Sequence, residues 1–187
     1  ILHEPNYLFN YAHLAYQSYL NPPEVYEMLE KLNFDKVRLG EVAHDIKQVE
    51  PIIRFADMVS FDLSAIRHND CKAKKDSYPF GISSEQACQM AWYAGISNRC
   101  SSFSIFSYDK NLDERNQSAK VIATMLWYFV EGVHERVEIA PFESDYFRKF
   151  IVGTDVKELI FYKSILKEFW WIKVGEEILP CSYQDYV

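Results

Sequence analysis

Asp57-Met58-Val59-Ser60-Phe61-Asp62-Leu63-Ser64 is a brief apolar run that ends in a carboxylate and a hydroxyl. Runs of this length and character fill the strands of a buried parallel sheet. Downstream, Arg67 to Pro79 is charged, polar and without periodicity, and reads as a loop. Ser83-Ser84-Glu85-Gln86 is a capping box, with Gln86 three residues after Ser83; it predicts a helix to about Tyr93, with Gly95 as its stop. Ser101 to Ser107 alternates and suits another strand. After a polar turn, Asp109 to Asn116, a long helix is expected from about Gln117 to Gly132. Its Val121, Ile122, Met125, Leu126, Phe129 and Val130 fit one face. Upstream, Asn21-Pro22-Pro23-Glu24 reads as a helix start, with Asn21 as the cap and Val25, Met28, Leu29 and Leu32 as the stripe. Phe34 to Leu39 is a strand candidate, and Glu41 to Phe55 a second helix bent or shortened at Pro51. Strand and helix alternate, which predicts an α/β fold: part of a three-layer α/β/α sandwich around a mostly parallel sheet.

Composition narrows the function. The 187 residues are 49% hydrophobic and include 13 Tyr, 13 Phe and 4 Trp, enough for one ordinary core and unlike a disordered chain. A formal charge of −7 argues against nucleic acid or an anionic membrane as partner, since both select clustered basic surface. No apolar run approaches the roughly 20 residues that span a bilayer. Cys71, Cys88, Cys100 and Cys181 show neither CxxC pairing nor metal-finger spacing, so reduced thiols and a cytoplasmic setting are expected. With six glycines, no GxGxxG and no phosphate loop, nucleotide binding is not indicated. The chain opens on Ile1-Leu2-His3-Glu4-Pro5-Asn6-Tyr7-Leu8-Phe9, which reads as the middle of structured sequence and suggests a fragment. The last fifty residues, broken by Pro141 and Pro180, read as short strands plus one short helix.

Two strand ends carry a resemblance. Ser60-Phe61-Asp62-Leu63-Ser64, a loop, and Pro79-Phe80-Gly81-Ile82-Ser83 before a helix resemble the Ser-Phe-Asp-x-Asp and Pro-Gly-Gly-Leu-Ser signature of the ureohydrolases (arginase, agmatinase and formimidoylglutamase). Further on, Ser107-Tyr108-Asp109-Lys110-Asn111-Leu112-Asp113, then Ser118-Ala119 and an apolar helix, is similar to the family's Glu-Val-Asn-Pro-x-Leu-Asp and Thr-Ala. Both stand in family order and cover roughly residues 35 to 133. The resemblance implies that residues 1–135 are the C-terminal half of such a domain, with 136–187 an extension packed on the same domain. It also implies a chemistry in which manganese ions, held by Asp and His, lower the pKa of a bridging water that attacks a guanidinium or formimino carbon. Carried over residue by residue, Asp62 matches the first metal Asp. Ser64 stands at the second metal Asp, Ser107 at the substrate-positioning Glu, and Lys110 at the Pro. The family's Asp-Ala-His-x-Asp motif does not occur in the sequence.

The expectation is therefore a ureohydrolase-like fragment that has lost key metal and substrate positions and is non-catalytic, with a binding, regulatory or assembly role. No catalytic residue is assigned, Asp62 is a remnant metal position, and no cofactor is expected. The alternative is an active, manganese-dependent hydrolase of a guanidino or formimino substrate, completed by an N-terminal half. Other candidates have plain structural readings beside the functional ones. His68, Asp70 and Cys71 could form a substitute metal cluster, but ordinary polar loops look the same. His13 reads as a packed histidine, and His44 and His134 as residues at helix ends or surfaces. Cys71, Cys88 and Ser104 lack a recognisable base as nucleophiles. Phe169-Trp170-Trp171 reads as sheet packing rather than a ligand groove; Tyr/Trp-rich surface, Trp170 included, is the candidate for homo-oligomer contacts.

Overall fold

The computed structural model describes residues 10–136, 142, 144–154 and 158–187. Two parallel strand pairs form the first part. Strand β1 (Ala12–Tyr16) pairs with β2 (Asp35–Arg38) across helix α1 (Pro23–Lys31). Strand β3 (Met58–Asp62) pairs with β4 (Ser102–Phe106) across helix α4 (Ser84–Ile96). Between the pairs lie α2 (Leu39–His44) and α3 (Glu50–Phe55), and α5 (Gln117–His134) packs along α4. Parallel pairing requires such helical crossovers, so this part of the fold follows the alternation in the sequence. The expected parallel sheet is present as two two-stranded pieces.

The core sits between the β3–β4 pair and the helices. Leu63, Ile66 and Ile82 on the strand-end turns, Ala91 and Ala94 of α4, and Met125 of α5 are all fully buried. The Ser83 box forms as the sequence predicts: Ser83 Oγ accepts from the Gln86 N–H, and Gln86 Oε1 accepts from the Ser83 N–H. Helix α4 nevertheless runs on to Ile96, through Gly95. Gly95 is a packing residue and not a stop. A Cβ there would lie 2.3 Å from the Phe129 carbonyl oxygen and 2.9 Å from the Gly132 Cα, so the bare backbones of α4 and α5 meet at this crossing.

Other expectations are corrected. The single helix over Glu41–Phe55 is two helices and a 3₁₀ turn. Asp45 adopts extended backbone and accepts the Lys47 N–H on its side chain, a local bond that competes with helix continuation. Pro51 lies in the first turn of α3, where its missing N–H costs nothing, so it opens a helix and bends none. Asn21 does not cap α1; its side-chain amide donates to the Gln17 carbonyl. Strand β1, unanticipated, carries His13.

The tail forms a four-stranded antiparallel meander: β5 (Phe147–Gly153), β6 (Glu158–Ser164), β7 (Trp170–Val174) and β8 (Glu177–Cys181), in sequence order. No helix lies in it among the described residues; Pro141 is outside them. Gly175 takes φ +63° in the two-residue turn between β7 and β8, a backbone state that glycine adopts freely. Phe161, Trp170 and Cys181 form a second buried cluster, flanked by Phe150 and Tyr186. Trp170 is only 4% exposed, so it is removed as a contact surface. The sheet is fastened to α3 through Arg54. Its guanidinium pairs with Glu50, donates 3.0 Å to the Trp170 carbonyl, and lies 4.5 Å and 4.9 Å from the ring centroids of Trp171 and Phe169.

Candidate functional site

The register of β3 with β4 places Asp62 opposite Phe106, so Ser107 emerges at the same rim. A 3₁₀ turn over Leu63–Ala65 follows Asp62 and carries Ser64. Asp62 Oδ1 accepts the Ser64 N–H at 2.8 Å, and Oδ2 accepts the Ser107 hydroxyl at 2.9 Å. Both carboxylate oxygens are thus engaged by the chain itself. Ser107 holds φ +68°, a left-handed state that carries a strain of about 1 kcal/mol or more in a residue with a Cβ. Partial burial pushes the Asp62 carboxyl up. The Ser64 N–H, the Ser64 and Ser107 hydroxyls and the charge of Lys74 outweigh it, and the net displacement is below the ordinary carboxylate value.

Lys74 is the residue that the sequence reading missed. It is 2% exposed, one of the largest fully buried side chains among the described residues. Its Nζ donates to the Leu63 carbonyl at 2.8 Å and to the Ile66 carbonyl, beneath the turn that presents Asp62 and Ser64. Burial lowers its pKa, against the opposing pull of Cys71, Asp62 and Asp70. A lysine in a polar loop reads as solvated, and no sequence signal marks this one. The loop is held in place by Ser118, fully buried, whose Oγ accepts from the Lys72 and Ala73 N–H groups at 3.0 Å each. A buried hydroxyl that left two amides unpaired would be costly to remove.

Asp113, in the second matched stretch, caps α5. It accepts from the Ser118 and Ala119 N–H groups and from the Tyr108 hydroxyl, each at 2.9 Å. Lys110 sits in an exposed 3₁₀ turn, Lys110–Leu112. Asp70 serves α4, accepting from the Ser84 N–H and from Arg67 Nε at 2.9 Å. His68 Nδ1 lies 2.6 Å from Ser77 Oγ, while Cys71 is buried elsewhere in the core. His68, Asp70 and Cys71 are therefore tied to separate partners, and the substitute cluster does not form. His13 is half-buried between Tyr11 and Tyr16, at 6.3 Å and 5.5 Å between ring centroids. His44 and His134 are the last residues of α2 and α5. All four cysteines are free and buried, and burial pushes the Cys88 and Cys100 thiols up and Cys181 to about 12, the opposite of an activated nucleophile.

Whether manganese fits these residues is decided by donor chemistry. A hard divalent ion requires several oxygen donors, at least some of them anionic. At this rim stand one carboxylate with both oxygens hydrogen-bonded, two neutral hydroxyls and a buried ammonium. Among the described residues no group of three or more His, Cys, Asp and Glu is placed to hold a metal. The described residues do not fit a dinuclear centre.

Solved structures place this architecture. The chain resembles formiminoglutamase from Trypanosoma cruzi, solved with Mn2+, with a TM-score of 0.61 at 19% identity over 66% of this chain and 43% of that one. It resembles formimidoylglutamase from Bacillus subtilis (0.61, 14%, 66% and 41%) and arginase from Bacillus caldovelox (0.55, 14%, 62% and 41%). The chain thus has the ureohydrolase fold in part, and spans less than half the length of these structures. No protein-family model and no curated protein sequence matches it. Among the described residues no helix is long and apolar enough to cross a membrane.

Proposed function

We propose that this chain is part of a ureohydrolase-fold protein that has given up metal-dependent hydrolysis and keeps a binding, regulatory or assembly role. One observation carries the proposal: among the described residues Asp62 has no set of further carboxylates, histidines or thiolates beside it to share a metal, and its two oxygens instead accept the Ser64 N–H and the Ser107 hydroxyl. In this reading Ser64 and Ser107 stand where carboxylates would hold a second metal contact and a cationic substrate. Hydroxyls supply neither the charge that binds manganese nor the counter-ion for a guanidinium. The cytoplasm is its proposed setting, consistent with four unpaired, buried thiols. Homo-oligomerisation is the proposed mode of assembly, and α5 supports it by exposing Leu126, Trp127 and Val130 along one side, with Trp127 69% exposed.

The test is metal content of the full-length protein after manganese loading and dialysis. It is followed by assay of urea or formamide release from arginine, agmatine and formiminoglutamate. Substoichiometric metal and no release are expected. Stoichiometric manganese with turnover would establish the rival reading, an active hydrolase of guanidino or formimino compounds whose ligands come from elsewhere in the protein.

A further inference from the structure

Deleting carboxylates explains why a site loses affinity for metal. It does not explain why a lysine is buried beneath that site. An isolated buried ammonium is costly, and proteins retain one only where partners compensate. Lys74 has such partners: the carbonyl oxygens of Leu63 and Ile66, which bracket the turn after β3, with Asp62 and Asp70 near enough to favour its charge. Both carbonyls belong to the turn that sets the position of Ser64. The ammonium therefore holds the turn that follows Asp62 and carries Ser64.

We propose that Lys74 is the resident cation of this strand-end site, a tethered positive charge that orders the Leu63–Ile66 turn and shuts out divalent metal ions. This rests on the preceding reading that the site is not a metal centre, and adds the residue responsible for exclusion. A dication brought to Asp62 meets the ammonium's charge through partly desolvated protein, where repulsion is far less screened than in water. Restoring the carboxylates alone then gains less affinity than it would without Lys74, because the ammonium offsets one of the negative charges at the rim.

The experiment compares the full-length wild type, Ser64→Asp/Ser107→Glu, and the same double variant with Lys74→Gln. Glutamine is neutral and retains an N–H donor for the turn carbonyls. Mn2+ affinity is read from the free-ion electron paramagnetic resonance signal, with circular dichroism confirming the fold. Removing the Lys74 charge in the double variant should tighten Mn2+ binding by an order of about tenfold, as expected for a unit charge deleted within a Debye length of a dication. Equal affinity with and without Lys74, or no binding by either folded variant, overturns the proposal; a purely structural lysine gives that result. Wild-type protein that loads Mn2+ stoichiometrically instead sinks the non-metal reading itself, so the two failures are distinct. A triple variant that does not fold leaves a direct readout on the wild type. Side-chain nitrogen resonance should show Lys74 as a charged, slowly exchanging ammonium at neutral pH, and a neutral amine there refutes the inference.

Discussion

Replacing Gly95 by alanine should loosen the α4–α5 crossing that underlies the strand-end site. The added methyl would sit 2.3 Å from the Phe129 carbonyl oxygen and 2.9 Å from the Gly132 Cα. Both obstacles are backbone, so no rotamer change relieves them and the helices must move apart by the better part of an ångström. Overpacking of this kind costs about 1–3 kcal/mol, and backbone-on-backbone contact puts it at the upper end. Alanine's better helix propensity returns at most about 1 kcal/mol. A net loss of about 2 kcal/mol is expected, or roughly 4–8 °C in melting temperature for a chain of this size. Separation of the helices would also weaken the Phe103–Phe129 stack, whose ring centroids are 5.0 Å apart. Urea and thermal denaturation measure the effect, with Gly40→Ala as control because nothing lies within 4 Å of its added methyl. That control should be neutral or more stable by up to about 1 kcal/mol. Gly132→Ala, which meets the Trp92 carbonyl at 2.7 Å, should match Gly95→Ala, and the double variant should cost less than their sum. A Gly95→Ala protein as stable as wild type would show that the crossing is not close-packed and refute the reasoning.

Arg54→Ala should destabilise by about 3–5 kcal/mol, because it strands the buried Glu50 carboxylate as well as removing the Trp170 carbonyl contact. Near-ultraviolet circular dichroism from Trp170 and Trp171 should weaken with it, and an unchanged spectrum and melting point would disprove this fastening. Stability should also fall in acid. The folded-state pKa values of Asp62, Asp70 and Asp113 lie below their ordinary values; at each, burial acts upward but is outweighed by donated hydrogen bonds. Their contribution is therefore complete above about pH 4, near the unfolded carboxylate value, and is lost as pH drops through the depressed folded values. Glu50 acts in the opposite sense, since burial raises it despite Arg54. Melting curves across that range for wild type and Asp62→Asn should show a shallower acid slope in the variant; identical slopes would count against a depressed Asp62.

Elements with complete local signals were legible in the sequence. The Ser83–Gln86 box, the apolar run into Asp62, the alternation of Ser101–Ser107 and the apolar content of α5 each encode one element through contacts a few residues apart, but the expected single face of α5 is split: Met125 is buried while Leu126 and Val130 are exposed. Where a local choice competed with periodicity, as at Asp45 and Gly95, the reading failed: a side-chain bond and a distant helix decided those positions. The tail was legible as short strands, and its one expected helix is not found among the described residues. Its aromatic residues fit strand or helix until cross-strand pairing selects the antiparallel meander.

At the candidate site the same division holds. The sequence by itself determined which chemical groups stand at the strand ends: one carboxylate at Asp62 and hydroxyls at Ser64 and Ser107, with no family histidine motif. Only the tertiary structure decided that Ser107 reaches across from a neighbouring strand to hold Asp62, and that Lys74 is buried against the Leu63 and Ile66 carbonyls of the turn that follows Asp62. Residue identity is local information. Whether a lysine is solvated or buried, and whether a carboxylate is open to a ligand or already satisfied, depends on partners 11 to 45 residues away that only chain folding brings within hydrogen-bonding distance.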